Sequence, residues 1–186
     1  MKNVKLKSRK NLFTKFVGVD EFDFHLEEQN TDITRFVVTR PEAAAILLFN
    51  SDTNSFVLIK QFRAPVYTKG EDGFIVEIPA GVLEPGEEPM ETMVRETLEE
   101  TGYKIENPEL LYTFFPSPGM LNEKMHLFYA EVKNTDKIEK GGGLLSEKEF
   151  LEVIEIPVDE ALDMVNNGQI VDAKTMLAIL RFHLKK

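Results

Sequence analysis

Four residues within six positions, Arg95, Glu96, Glu99 and Glu100, put three carboxylates and a guanidinium on one short stretch of chain. Around them Met90, Val94, Thr97, Leu98 and Thr101 recur at spacings of three and four, Pro89 suits a first helical position, and Gly102 suits the residue just past the end. This predicts an amphipathic helix over about 89–101, with Glu96 on the same face as Glu99 and Glu100. Like charges so placed destabilise a helix by a few tenths of a kcal/mol per pair unless something positive lies between them. Two arrangements meet that need. In one the face is solvated and partly balanced by Arg95, four residues before Glu99; in the other a hard divalent cation takes the carboxylate oxygens. The preceding loop, Pro79-Ala80-Gly81-Val82-Leu83-Glu84-Pro85-Gly86-Glu87, favours the second, because its glycines permit a turn that brings backbone carbonyls beside the carboxylates.

The elements that must position this helix follow from the patterning. Between Val4 and Arg40 the pattern alternates, with Phe22, Phe24 and Leu26 set against Asp23, His25 and Glu27, and Ile33–Thr39 adds a β-branched run; these are N-terminal strands. Ala43–Phe49 and Ser55–Phe62 are apolar runs on either side of Asn50-Ser51-Asp52-Thr53-Asn54, a hairpin in a buried sheet. Further strands are expected at Phe74–Ile78, Leu110–Phe115, Met125–Val132 and Phe150–Ile156, with a mobile glycine-rich loop over Lys140–Ser146. Two helices close the chain, from about Asp159 to Asn167 with Gly168 as stop, and from Asp172 as N-cap through Leu184. Mixed strands and helices argue for one α/β domain.

Composition narrows the chemistry. The 186 residues hold 22 Lys+Arg against 32 Asp+Glu, a net charge of −10, and no Cys or Trp. The 42% of hydrophobic residues is enough to fold one ordinary domain unaided. Without cysteine there is no disulfide framework, thiolate zinc site, iron–sulfur cluster or cysteine nucleophile, a usage compatible with the cytoplasm. The longest apolar run, Ala43–Phe49, is far short of the roughly 20 residues that span a bilayer. Lys2–Lys10 is basic without a following apolar segment, so neither targeting nor membrane attachment is expected. Net negative charge repels nucleic acid, and Lys2, Lys5, Lys7, Arg9, Lys10 and Lys15 read as a solvated arm. An anionic substrate would therefore need a cation to mediate. His25, His126 and His183 lack ligand spacing.

Read together, Gly81, Glu87, Arg95-Glu96, Glu99-Glu100, Gly102 and Tyr103 stand at the spacings of the Nudix box, and beyond the first N-terminal strands most of the chain resembles the Nudix hydrolases. Thr97 departs from the pattern, standing where the family usually has an aliphatic residue. The fold implied is α/β, a Nudix-type α/β/α sandwich with a mixed sheet and an N-terminal antiparallel strand extension. It divides into residues 1–40, a dimerising strand region, and 41–186, the hydrolase domain. The resemblance implies hydrolysis of a nucleoside diphosphate linked to another group, with Mg²⁺ or Mn²⁺ as cofactor. Glu96 and Glu100 are the main metal ligands it implies, Glu99 a further one with a catalytic share, and the Ala80 carbonyl a backbone ligand. Gly81, Glu87, Arg95 and Gly102 are structural positions, Arg95 orienting Glu87 and the helix carboxylates. The physics agrees: a diphosphate repels both carboxylates and hydroxide, so a glutamate-rich site needs cations that polarise phosphoryl oxygens and lower the pKa of bound water.

Phe115-Pro116-Ser117-Pro118-Gly119-Met120-Leu121-Asn122-Glu123 resembles the ADP-ribose and nucleotide-sugar pyrophosphatase branch, which gives Glu123 a supporting catalytic role. Lys60-Gln61-Phe62-Arg63 is similar to the branch's phosphate-contacting segment, making Arg63 a substrate ligand, and Glu77 is a second substrate-site residue. The segment before the last strand resembles the branch's base-delivering loop; Glu149 is the first choice for general base and Glu147 the reserve, with Gly141–Gly143 as hinge. From Glu155 to Thr175 the chain looks like the GDP-mannose hydrolases. The expected substrates are ADP-ribose, GDP-mannose or both, cleaved by a homodimer in which Phe13, Phe16, Phe22, Phe24 or Tyr67 stacks on the base. Two alternatives stand beside this reading, a non-catalytic nucleotide-sugar sensor and a nucleoside triphosphate pyrophosphohydrolase. The isoprenoid isomerases of this fold use a cysteine, which this chain lacks.

Overall fold

In the computed structural model, which describes residues 3–144, 146 and 149–185, the alternating N-terminal segment becomes three antiparallel strands. β1 (Val4–Thr14) pairs with β2 (Gly18–Leu26), and β2 with β3 (Thr31–Thr39). Of the basic residues expected on a solvated arm, Lys5, Lys7, Arg9 and Lys10 lie along β1, where acids face three of them across the sheet: Lys5 meets Glu27, Lys7 meets Asp32, and Arg9 meets Asp20. Asp20 is buried, and hydrogen bonds from Arg9, then Asn11 and Thr39, bring its carboxyl down to about 2. This unit takes the chain up to Glu42 together with Phe114–Lys124, and Val38 exchanges backbone hydrogen bonds with Met120 and Asn122.

The second unit holds Ala43–Thr113 and the chain from Met125 onwards. Its strands are β4 (Ala43–Asn50), β5 (Ser55–Phe62), β6 (Phe74–Glu77), β7 (Ala80–Val82), β8 (Glu109–Phe114), β9 (Met125–Val132) and β10 (Leu151–Pro157). They form one mixed sheet in the order β10-β5-β4-β9-β8, with β6 added to β5 and β7 to β4. The hairpin expected at Asn50–Asn54 forms, but β4 and β5 pair only over Leu48–Asn50 and Ser55–Val57. They then part, and the first half of β4 takes β7 as its partner, Ala45 opposite Ala80 and Ala44 opposite Gly81. On its other edge β4 runs parallel to β9. Ala43–Leu48 is buried throughout, as a central strand covered on both faces must be.

The helices are α1 (Ala64–Tyr67), α2 (Pro89–Thr101), α3 (Val158–Asn166) and α4 (Ala173–Leu184). Ala44, Ile46, Leu48 and Val57 face Met93 of α2, while the alternate residues Phe49 and Phe56 pack on Phe182 of α4. The strand period of two thus sends one set of side chains to each helical layer, giving the expected α/β/α sandwich. No helix among the described residues is long and apolar enough to cross a membrane.

Candidate active site

α2 begins with a capping box, in which the Glu88 N–H donates to Glu91, and ends on Gly102 in the left-handed region at φ 78°. Along its exposed edge Arg95 gathers the acids. Its Nε and Nη2 donate to the two oxygens of Glu87, each at 3.1 Å, and its Nη1 donates to Glu96 Oε1 at 2.8 Å and Glu99 Oε2 at 3.3 Å. Glu87 also accepts from the Thr92 hydroxyl and the Glu84 N–H. The Arg95 hydrogen bonds hold the Glu87 carboxyl down at about 2, and Arg95 itself is held well above its usual value by Glu87.

Glu100 lies outside this clamp. It is 2% exposed and accepts the Ala80 N–H at 3.0 Å. Burial, with the charge of Glu96 next, pushes its carboxyl well above the ordinary range, the Ala80 bond opposing and the charge of Glu149 adding. Glu96 is raised too, by burial first, with Arg95 opposing and Glu99 and Glu149 adding. These mutually repelling hard oxygens, buried on Glu100 and half-buried on Glu96, are donors suited to a divalent cation. As they stand, no three acidic groups among the described residues enclose an ion, since Glu96 and Glu99 are drawn onto Arg95. The fit therefore lies in the donor chemistry, and Glu96, Glu99 and Glu100 are the residues that could hold a metal.

Strand β7, too short to show in the sequence pattern, brings the loop against this face. A Cβ at Gly81 would sit 2.1 Å from the Glu96 carboxylate, so glycine is what lets the turn and the carboxylate meet. The glycines expected to be a hinge do a similar job at the other end of α2. Gly142 and Gly143 N–H groups donate to the Glu100 and Glu99 carbonyls at 2.8 and 3.2 Å, and a Cβ on Gly141 would strike the Thr101 backbone at 2.5 Å. Close backbone approach, capping the last turn of the carboxylate helix, is the use the structure makes of them. The loop also brings Glu149 near enough for its charge to act on Glu96 and Glu100, in the wall of a cavity of about 940 Å³ that Lys137 and Lys140 also line.

A second charged group lies beyond Ala80. Arg63, just after β5, donates from Nε and Nη2 to buried Glu77 on β6, and Lys174 Nζ approaches the same carboxylate at 3.3 Å. Burial lowers Arg63, but the Glu77 hydrogen bonds and charge outweigh it and keep the guanidinium above its ordinary value. Glu77, expected to meet substrate, thus has its oxygens taken up by two cations. Lys174 was not foreseen as part of this group. The available signal was a lysine in the first turn of α4, where the helix dipole disfavours a cation unless an anion faces it; here Asp172 lies at 3.0 Å and Glu77 beyond. Glu123 lies in the first unit, buried, with Arg40 Nη1 3.5 Å from its carboxylate. Glu147 is outside the described residues.

The chain is 36% identical to a GDP-mannose pyrophosphatase of Cronobacter sakazakii over 98% of this chain and 96% of that one. It is 37% identical to the GDP-mannose pyrophosphatase of Pectobacterium atrosepticum, over 86% and 83% of the two chains. With a protein of Bacillus methanolicus named methanol dehydrogenase activator it shares 40% identity over 82% of this chain and 77% of the other. The profile of the NUDIX domain matches residues 39–177, which include the Ala80–Gly81 turn, the α2 carboxylates, Arg63 and Lys174, and on that match the chain belongs to the NUDIX domain family.

Proposed function

We propose that the protein hydrolyses the diphosphate linkage of nucleoside diphosphate sugars with a divalent metal, releasing a nucleoside monophosphate and a sugar phosphate. The observation that carries this reading is buried Glu100 and half-buried Glu96 set against the Ala80–Gly81 turn, with the cations of Arg63 and Lys174 beyond them. Bound there, a divalent cation polarises the phosphoryl oxygens and makes its bound water more acidic. Glu96, Glu99 and Glu100, with the Ala80 carbonyl, would hold it, and Mg²⁺ is the ion we assign, with Mn²⁺ able to replace it. Arg63, kept charged by Glu77, binds a phosphate by its planar fork. Water adds to one phosphorus, the bridging P–O bond breaks, and the proton goes to a carboxylate, for which Glu149 is the first choice and Glu147 the reserve.

GDP-mannose is the substrate proposed first, since that is the name carried by relatives matching nearly the full chain; ADP-ribose is the second. The working unit in this reading is a cytoplasmic homodimer joined through residues 1–40, where Leu6, Leu12, Phe13 and Phe36 are exposed, and 41–186 forms the hydrolase domain. The name of the Bacillus methanolicus relative supports a second reading, action on a partner enzyme. A panel of GDP-mannose, ADP-ribose, UDP-glucose and a nucleoside triphosphate, incubated with Mg²⁺ and resolved by chromatography, tests the proposal. Cleavage of a nucleotide sugar with the triphosphate left intact supports it; cleavage of the triphosphate alone moves the protein to the pyrophosphohydrolase class.

A further inference from the structure

Residues Ile78, Pro79 and Ala80 are each tied to a different element. The Ile78 N–H donates to Thr175 Oγ1 of α4 at 2.8 Å, the Pro79 carbonyl accepts the Ile46 N–H of β4 at 3.0 Å, and the Ala80 N–H donates to Glu100 of α2 at 3.0 Å. Thr175 and Ile78 are fully buried, so this bond has no water to replace it. The hydroxyl passes its own hydrogen to Asp172 Oδ2 at 2.6 Å, and the same oxygen accepts the Thr175 N–H at 3.0 Å and faces Lys174 Nζ at 3.0 Å. Lys174 in turn faces Glu77, which holds Arg63. One turn of helix therefore reaches both halves of the candidate site: through Thr175 the backbone leading into the Ala80 turn, and through Lys174 the Glu77–Arg63 pair.

We infer that the first turn of α4 is a positioning device for this site, in which Thr175, oriented by Asp172, fixes the Ile78–Ala80 backbone against Glu100. Neither residue is assigned contact with substrate. The N-cap explanation of Asp172 accounts for the Thr175 N–H alone; it leaves unused the hydroxyl relay to Ile78, which crosses from the helix to the link between β6 and β7 and stabilises no helix end. The inference rests on the metal-site reading proposed above.

The test uses the full-length protein and three variants, Thr175→Val, which keeps the shape and removes the relay, Thr175→Ser, which keeps the hydroxyl, and Asp172→Asn. Mn²⁺ affinity is read by electron paramagnetic resonance without substrate, alongside kcat and KM for GDP-mannose and hydrogen exchange at the Ile78 amide. Partners of metal-site groups are typically worth about 10–100-fold in affinity or activity. Thr175→Val is expected to lose about that much Mn²⁺ affinity and kcat and to exchange faster at Ile78, with Thr175→Ser restoring most of it. Equal Mn²⁺ affinity in Thr175→Val and the unmodified protein, or a folded Thr175→Ser as weak as Thr175→Val, overturns the inference. If Thr175→Val does not fold, Asp172→Asn decides: faster Ile78 exchange with weaker Mn²⁺ binding supports it, and no change in either overturns it. Should the unmodified protein cleave no nucleotide sugar, the activity reading fails while the Mn²⁺ and exchange series still judges the positioning role.

Discussion

Replacing Glu100 by Gln separates what the site needs for chemistry from what the fold needs for stability. Glu100 is buried beside Glu96, with the charge of Glu149 also acting on it, and it accepts a hydrogen bond from the Ala80 N–H. Glutamine keeps a carbonyl oxygen for that N–H, and its amide can donate to the neighbouring carboxylates. Removing the charge should then stabilise the metal-free protein by about 1–3 kcal/mol, the usual cost of an incompletely satisfied buried polar group. For a domain of this size each kcal/mol moves Tm by about 2–4 °C, so a rise of about 2–12 °C is expected at pH 8 in EDTA. The sign with pH follows from the raised carboxyl. The penalty is present above its folded-state pKa and disappears as pH falls toward the ordinary carboxylate value, so the advantage of the variant shrinks from pH 8 to pH 5. Scanning calorimetry across that range, with and without Mn²⁺, is the assay, and Mn²⁺ should stabilise the unmodified protein more than the variant. A variant less stable than the unmodified protein at pH 8 in EDTA, or an advantage that does not vary with pH, would refute the reasoning.

Two glycines should respond in opposite ways. Gly81→Ala puts a methyl 2.1 Å from the flexible end of Glu96, so the side chain swings aside: Tm stays within a few degrees while Mn²⁺ affinity falls about 10–100-fold, and unchanged affinity contradicts this. Gly102→Ala at φ 78° puts its methyl 2.1 Å from the Glu139 carbonyl oxygen, which is backbone; a loss of about 2–4 kcal/mol is expected in denaturant titration, and a loss below about 1 kcal/mol would argue against the contact. Thr97 is fully buried with a hydroxyl that has no hydrogen-bond partner among the described residues, so Thr97→Val should stabilise by about 1 kcal/mol by the same titration. A destabilised Thr97→Val would mean the hydroxyl is satisfied.

How much of this could be read from sequence depends on whether the signal is local. Pro89 and Gly102 bracket α2 because each acts through its own backbone, and Asp172 caps α4 for the same reason. Met125–Val132 is a strand over its full expected length, since its apolar run needs only burial. The parallel pairing of β4 with β9 joins segments far apart in the chain, and nothing in either segment specifies it. β7 escapes notice because three residues, one of them glycine, carry no period of two. At the site, Arg95 was legible as the partner of Glu87 and the helix acids because helical spacing and one loop bring them together. Glycine type signals conformational freedom but not its use, so Gly141–Gly143 read as a hinge where the structure uses them for close packing on α2. Lys174 and Thr175 reach Glu77 and Ile78 across about a hundred residues of chain, a contact only the fold creates.

The most direct test of the account is phosphorus NMR of GDP-mannose mixed with the protein and Mg²⁺, followed by the same mixture in EDTA. The paired diphosphate signals are expected to give way to two phosphomonoester signals, GMP and mannose 1-phosphate, only when metal is present and not with Glu100→Gln. Diphosphate signals that persist with metal while the nucleotide sugar is bound, or conversion at the same rate in EDTA, would contradict it.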